Sequence, residues 1–276
     1  MKVEDAHGNV RKYKPEKIVR SAKRAGFSEG QGERIEEEVT GRIWDDITTR
    51  KLHSIVFEEM EKLDRGYALR YRLRESIAEL DPRYHEFEKY VTYLLEDEGF
   101  DTSWSPRPKP QGECIDHEID VMAERGKSFV VECKHHYHHH RFTGLDVAMR
   151  QQARLEDLRK GNDLGVKNSV EADKAWVIVN TKLSDHAKEY AKCKGIRMTA
   201  WKYPEGEGLD SIIERNKAYP ITMLRPPHHV KVELSKRNIL IVNQLLELTP
   251  EQKRDLGLDE KVIEDIQEQA RDLLKT

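Results

Sequence analysis

Cysteine is scarce: the 276 residues hold three, Cys114, Cys133 and Cys193, odd in number and scattered. That argues against a disulfide framework and against a paired-cysteine zinc site, and it points to a reducing, cytoplasmic setting. No apolar run approaches the length of a membrane span, and the N-terminus has no signal-peptide core, so the expectation is a soluble protein with no membrane partner. No Walker-type glycine loop occurs, which argues against an ATPase motor. A dominant charge is missing too. Lys and Arg number 48 against 51 Asp and Glu, a net charge of −3. The chain is no polycation, so any nucleic-acid surface has to be a local basic patch.

What is present is charge of both signs, 36% of the residues, and an apolar fraction of 37%, enough for cores. The length suits two or three domains. One stretch organises the chain. Ile119 to Ala123 and Ser128 to Lys134 flank the turn signal Glu124-Arg125-Gly126-Lys127 and read as a β-hairpin around the buried run Phe129-Val130-Val131. Asp120 lies on the first strand. Glu132 and Lys134 lie on the second, and period-2 alternation puts them on one face with Cys133 on the other. Antiparallel pairing brings Asp120 to that face. Paired carboxylates suit a hard divalent cation, which polarises a phosphoryl oxygen, and a nearby ammonium can orient water or stabilise developing charge.

An aspartate followed by an acidic-x-lysine triplet between hydrophobic residues resembles the PD-(D/E)xK nucleases, in their Mrr-like restriction endonuclease branch. The resemblance runs from about Tyr84 to Leu224. Upstream, Phe87, Tyr90, Val91, Leu94 and Leu95 share one helical face before Gly99-Phe100. A helix of this pattern precedes the hairpin in the family, and its glutamate, here Glu88, joins the metal site; a solvated carboxylate is the other reading. In the loop before the strand, His117 sits where family members often carry a histidine, which implies phosphate or metal contact. Glu113, Asp116 and Glu118 are rival acids. Downstream, Leu145 to Leu158 reads as a helix carrying Arg150, Gln151, Gln152 and Arg154. Then come a buried strand Ala175 to Thr181, a helix Asp185 to Lys194 capped by Ser184, and a strand Ile196 to Trp201. Hairpin, helix, strand, helix, strand is the α/β order of the family: a restriction-endonuclease-like mixed sheet flanked by helices.

His135-His136-Tyr137-His138-His139-His140 follows the hairpin. Clustered histidines bind zinc, nickel or copper, or simply form a polar loop near the site. The N-terminal segment opens with a hairpin about His7-Gly8-Asn9. Pro15 starts a helix ending near Gly26, and further helices span Glu33 to Trp44, Thr49 to Met60 and Tyr67 to Leu80. The hairpin, the stretch Lys14 to Gly26 and Tyr67 to Leu73 resemble the ATP-cone, a nucleotide-binding regulatory domain. That implies ATP or dATP as regulator, with Arg11, Lys12 and Lys17 as cations. Asp5, Ala6 and His7 stand where ATP-cones usually carry a basic pair, which weakens the case; a helical domain without nucleotide is the competing reading. At the other end, Ser103 to Gln111 reads as an extended loop and Arg225 to His229 as a linker. Ile239 to Leu246, Pro250 to Leu256 and Lys261 to Leu274 read as short helices resembling a helix-hairpin-helix module, which grips the DNA backbone; a protein-interaction tail competes with it.

The expected domains are therefore 1–82, ATP-cone-like; 83–225, nuclease; and 232–276, a small helical module. The resemblance implies a metal-dependent endodeoxyribonuclease using Mg²⁺ or Mn²⁺, in restriction, repair or recombination. Asp120 and Glu132 would bind metal with the Cys133 carbonyl and Glu88. Lys134 would position the attacking water, and His117, Gln152 and Arg154 would contact DNA. Enzymes of this kind often work as homodimers. Two other classes stay open: a non-catalytic, nucleotide-responsive DNA-binding regulator, and a metal-binding protein centred on the histidine run.

Overall fold

The computed structural model describes residues 1–4, 8–138 and 141–275. Asp5, Ala6 and His7 of the first turn, and His139 and His140 of the histidine run, lie outside them. The chain forms two compact units. One holds Met1–Leu73, Met223–Pro227 and Asn243–Thr276; the other holds Arg74–Thr222 and His228–Val242.

In the first unit, β1 (Lys2–Glu4) pairs antiparallel with β2 (Val10–Lys12) and parallel with β3 (Ile47–Thr48). Helix α1 (Glu16–Ala25) stops at Gly26, whose φ of 121° disfavours side chains and where a Cβ would meet the Tyr67 ring at 2.5 Å. Helix α2 (Glu29–Arg42) starts earlier than the sequence pattern suggested, because Ser28 and Gln31 form a reciprocal capping box. Helix α3 (Thr49–Leu63) is capped by Thr48. The single helix expected over Tyr67 to Leu80 is two, α4 (Arg65–Tyr71) and α5 (Leu73–Ala78). The break falls at Arg72, buried, with its guanidinium donating to the Met223 carbonyl at 3.2 Å.

The second unit carries the main sheet. Helix α6 (Glu86–Asp97) leads into β4 (Asp101–Trp104), β5 (Val121–Glu124) and β6 (Ser128–Lys134). A short β7 (Phe142–Thr143) precedes α7 (Leu145–Asp163), then β8 (Lys174–Val179), β9 (Lys182–Leu183), α8 (Asp185–Lys194), β10 (Arg197–Thr199), α9 (Leu209–Asn216) and α10 (His228–Lys236). Among the described residues the main sheet has five strands in the order β10-β8-β6-β5-β4. β4, β5 and β6 are antiparallel neighbours; β6, β8 and β10 run parallel, so helices must carry the chain back between them. Ser103 and Trp104, expected in a loop, pair with Met122 and Val121 as part of the edge strand.

Alternation along β6 divides its side chains between two cores. Val130 joins Ala148, Leu155 and Leu158 of α7 and Ala187 and Ala191 of α8. Phe129 faces the other way, with Phe100 and Trp176; their ring centroids lie 5.4–5.9 Å apart. Burial on both faces explains why β6 and β8 read as continuous apolar runs. The linker expected at Arg225 to His229 is shorter, since α10 begins at His228. Val230 and Leu234 are buried, Ser235 Oγ donates to the buried Glu86 carboxylate, and Asp81 N–H donates to its Oε2 at 2.6 Å.

The C-terminal helices are α11 (Val242–Leu246), α12 (Pro250–Asp255) and α13 (Glu260–Lys275). Residues 239–241, expected to be helical, are extended instead: Ile221 N–H takes the Leu240 carbonyl at 2.9 Å. In the first unit α13 packs on α4, and buried Gln267 donates to the Leu245 carbonyl at 2.7 Å.

Candidate active site

The sheet order puts the ends of β5 and β6 side by side. Pairing runs to Val121 opposite Val131 and stops. Asp120, expected on the strand, lies one residue before it, and its side chain takes over where the ladder ends. The Cys133 backbone N–H donates to Asp120 Oδ2 at 2.7 Å, while Ser105 N–H donates to the Asp120 carbonyl at 2.9 Å. Asp120 is thereby fixed against the strand that carries Glu132 and Lys134. Its carboxyl is pushed up to about 6, by burial first and by the Glu132 and Glu88 charges, against the lowering pull of the Cys133 N–H and Lys134.

Glu132 and Lys134 share a face, as alternation requires, and form an ion pair. Arg154 of α7 reaches the other Glu132 oxygen. Burial alone would raise the Glu132 pKa, but the two cations hold it below the usual carboxylate value. Arg154 is itself steered by Gln151, whose Oε1 accepts from it at 2.9 Å. Gln151 is fully buried and its Nε2 donates to the Val130 carbonyl at 2.8 Å, tying α7 to β6. The sequence pattern assigns DNA contact to Gln152 and Arg154 and gives Gln151, on the same helix, no role. Gln152 instead donates to Glu156 at 2.7 Å, with its Oε1 buried and unpartnered.

Cys133 points into the opposite core, where burial pushes its thiol well up. Only its backbone faces the carboxylates. Glu88, on α6, has a buried Oε2 without a hydrogen-bond partner. That orphaned oxygen, the charge crowding on Asp120 and the oxygen-rich donor set fit a hard divalent cation. Glu132 is engaged by its two cations, so it would have to release one to join such a site.

His117 goes elsewhere. Its Nε2 lies 2.7 Å from Asp157 Oδ2 on α7, and its N–H donates to the Pro110 carbonyl at 2.8 Å. Asp157 Oδ1 also accepts from Cys114 N–H at 3.0 Å. The loop lies so close to α7 that a Cβ on Gly161 would meet Gly112 backbone carbon at 2.6 Å. Glu118 pairs with Lys109 at 2.7 Å. Among the described residues, the trio with ligand atoms within 4.8 Å of one another is Glu113, Cys114 and Asp157, on this loop and helix.

Of the histidine run, His135 and His136 are held in place. His135 Nε2 donates to the Ile77 carbonyl at 2.9 Å, and burial lowers its pKa. Asn180, at the end of β8, clasps His136 by both backbone groups, at 2.8 Å each. A polar residue ending a buried strand was the sequence signal for it. In the first unit, Arg11 and Lys12 neighbour each other on β2, so alternation sends them to opposite faces; Lys17 is exposed on α1.

A mixed sheet with an aspartate at one strand end and Glu-x-Lys on the next, with Arg154 of α7 reaching the glutamate, defines a PD-(D/E)xK-type nuclease domain. Residues 78–205 match the restriction endonuclease family Mrr_cat. An uncharacterized protein of Archaeoglobus fulgidus is 36% identical over 182 residues, spanning 66% of this chain and 98% of its own. The crystal structure of a protein of unknown function, AF1548, aligns at 35% identity over 69% of this chain and 98% of its own, with a TM-score of 0.58. The chain belongs to the family of that Archaeoglobus protein and carries the restriction endonuclease domain. No described helix is long and apolar enough to cross a membrane.

Proposed function

We propose that the protein is a metal-dependent endodeoxyribonuclease that hydrolyses DNA phosphodiester bonds, serving restriction, repair or recombination. The observation that carries the reading is the union of Asp120 with the Glu132-x-Lys134 strand through the 2.7 Å Cys133 N–H bond. Asp120, Glu88 and Glu132 would hold a Mg²⁺ or Mn²⁺ ion. The Cys133 carbonyl would join them, since in extended backbone it points to the same side as the N–H that Asp120 accepts. Bound there, the ion supplies Lewis-acid polarisation of the phosphate and a lowered pKa for the attacking water.

The chain's own residues do the rest. Lys134 exchanges its Glu132 partner for the attacking water or a phosphate oxygen and stabilises charge as it develops. Arg154 stays on Glu132 or moves to the scissile strand, a planar fork suited to phosphate. Gln151 keeps Arg154 aimed, and Gln152 keeps a side-chain oxygen with no hydrogen-bond partner. His117, bonded to Asp157, supports the loop before Asp120 rather than the substrate.

The test is nicking of a labelled DNA panel, single-stranded, duplex, flap, junction and methylated, with Mg²⁺ or Mn²⁺. Cutting by the wild type that is lost in Asp120→Ala and in Lys134→Ala is expected. Cutting that survives in both variants would overturn the assignment.

A further inference from the structure

Two large side chains stand in water just beyond Lys134. Tyr137 is 57% exposed and Phe142 is 60% exposed. Single exposed aromatics need no explanation. The residues just before Tyr137 and just after Phe142 are pinned at several points. Tyr137 lies edge-on to His135, centroids 5.4 Å apart, and His135 rests on Phe87 at 5.1 Å. The His135 ring is fixed in turn by the Ile77 carbonyl. The next residue, His136, is clasped by Asn180, and its Nε2 meets Thr143 Oγ1 at 3.1 Å. Tyr137 follows His136 and Phe142 precedes Thr143, so the two aromatics flank one clasp. A rigid aromatic on a pinned backbone loses little freedom when something stacks on it.

The surroundings are cationic. Lys182 Nζ lies 5.7 Å from the Phe142 ring centroid. Arg141 and Lys134 act electrostatically on His136, and Arg83, which is paired with Asp81, feels the Tyr137 phenol. Aromatic faces beside cations form the pattern that binds single strands, bases on the rings and phosphates on the charges. A continuous duplex offers no free base face to such rings.

We propose that Tyr137 and Phe142 form a subsite that stacks unpaired nucleobases next to the Asp120–Glu132–Lys134 site, which makes DNA with single-stranded or splayed nucleotides the preferred substrate. The proposal rests on the nuclease reading only for the chemistry next door. Stacking itself is measured without it.

The experiment uses the full-length protein in EDTA, so that nothing is cut. Fluorescence anisotropy reports binding of a labelled single strand, the matching duplex and a flap, and quenching of a 2-aminopurine base in the single strand reports stacking. Tyr137→Ala and Phe142→Ala should each weaken single-strand binding by about tenfold and leave duplex binding within about twofold. Both should reduce the quenching, whereas Tyr137→Phe should retain it. Exposed positions tolerate such changes, and unchanged thermal melts will establish that the variants fold. Single-strand binding equal to wild type in both alanine variants, equal losses on single strand and duplex, or a wild type that binds no DNA would each overturn the subsite. The two readings fail separately. Absent cutting with Mg²⁺ or Mn²⁺ removes hydrolysis and leaves the stacking measured in EDTA; intact metal-dependent cutting with unaltered variant binding removes stacking and leaves hydrolysis.

Discussion

Asp120→Asn is expected to stabilise the metal-free protein at neutral pH while abolishing cutting. In the folded chain the Asp120 carboxyl is pushed from 3.8 up to about 6, chiefly by burial. The unfolded chain loses this proton near the ordinary aspartate value. Between pH about 4 and about 6 the folded state therefore binds more protons than the unfolded one, and stability falls as pH rises through that window. Above it the penalty is complete. Two pH units at about 1.4 kcal/mol each come to about 3 kcal/mol at pH 7. Asparagine carries no charge and keeps an oxygen for the Cys133 N–H, so the hydrogen bond at 2.7 Å can survive the change. Urea denaturation in EDTA, at intervals from pH 4 to pH 8, measures the difference. The advantage of Asp120→Asn should be near zero at the acid end and grow to about 3 kcal/mol at neutrality. Saturating Mg²⁺ should shrink it, because a cation offsets the carboxylate's desolvation in the wild type alone. An advantage that stays constant with pH, or is absent at pH 7, would refute the claim that burial sets the cost of this charge.

Glu132 and Arg154 should be coupled: a double-mutant cycle of Glu132→Gln and Arg154→Met, followed by chemical denaturation, is expected to return about 2 kcal/mol, as for a charge-assisted bond to a mostly buried carboxylate. Gly161→Ala should cost about 2–3 kcal/mol in the same assay, since its Cβ would meet Gly112 and Gln111 backbone at 2.6–2.9 Å, atoms that cannot swing aside. Glu86→Ala should lower the melting temperature, by about 2 kcal/mol in stability, because it leaves the part-buried Asp81 N–H without its acceptor, while the Ser235 hydroxyl keeps the Lys231 carbonyl at 2.7 Å.

Much of the second unit was legible because its signals are local. The turn at Glu124–Lys127, the apolar runs of β6 and β8, the Ser184 cap and the α6 face each depend on neighbours within a few residues. Such patterns fixed Glu132 and Lys134 on one face of β6, and their ion pair follows directly. Gln151 has no role in the sequence reading because nothing in its own turn of helix marks it apart from its neighbours. Its value comes from the Val130 carbonyl, twenty-one residues away, and from Arg154, which only helix-on-sheet packing brings together. His117 reads in sequence as a phosphate or metal contact. In the fold its ring is bonded to Asp157, forty residues on, because glycines at 112 and 161 let the loop press onto α7.

The amino-acid order by itself determined most of the elements and the shared face of Glu132 and Lys134, since alternation and capping are set by residues close in the chain. Tertiary structure decided what those elements meet. It placed residues 243–276 in one unit with 1–73, through α13 packing on α4. It tied Asp120 to Cys133, raised the Asp120 pKa by burying it, and left a Glu88 oxygen without a partner. Desolvation and pairing depend on every surface that closes over a group, and those surfaces come from distant parts of the chain.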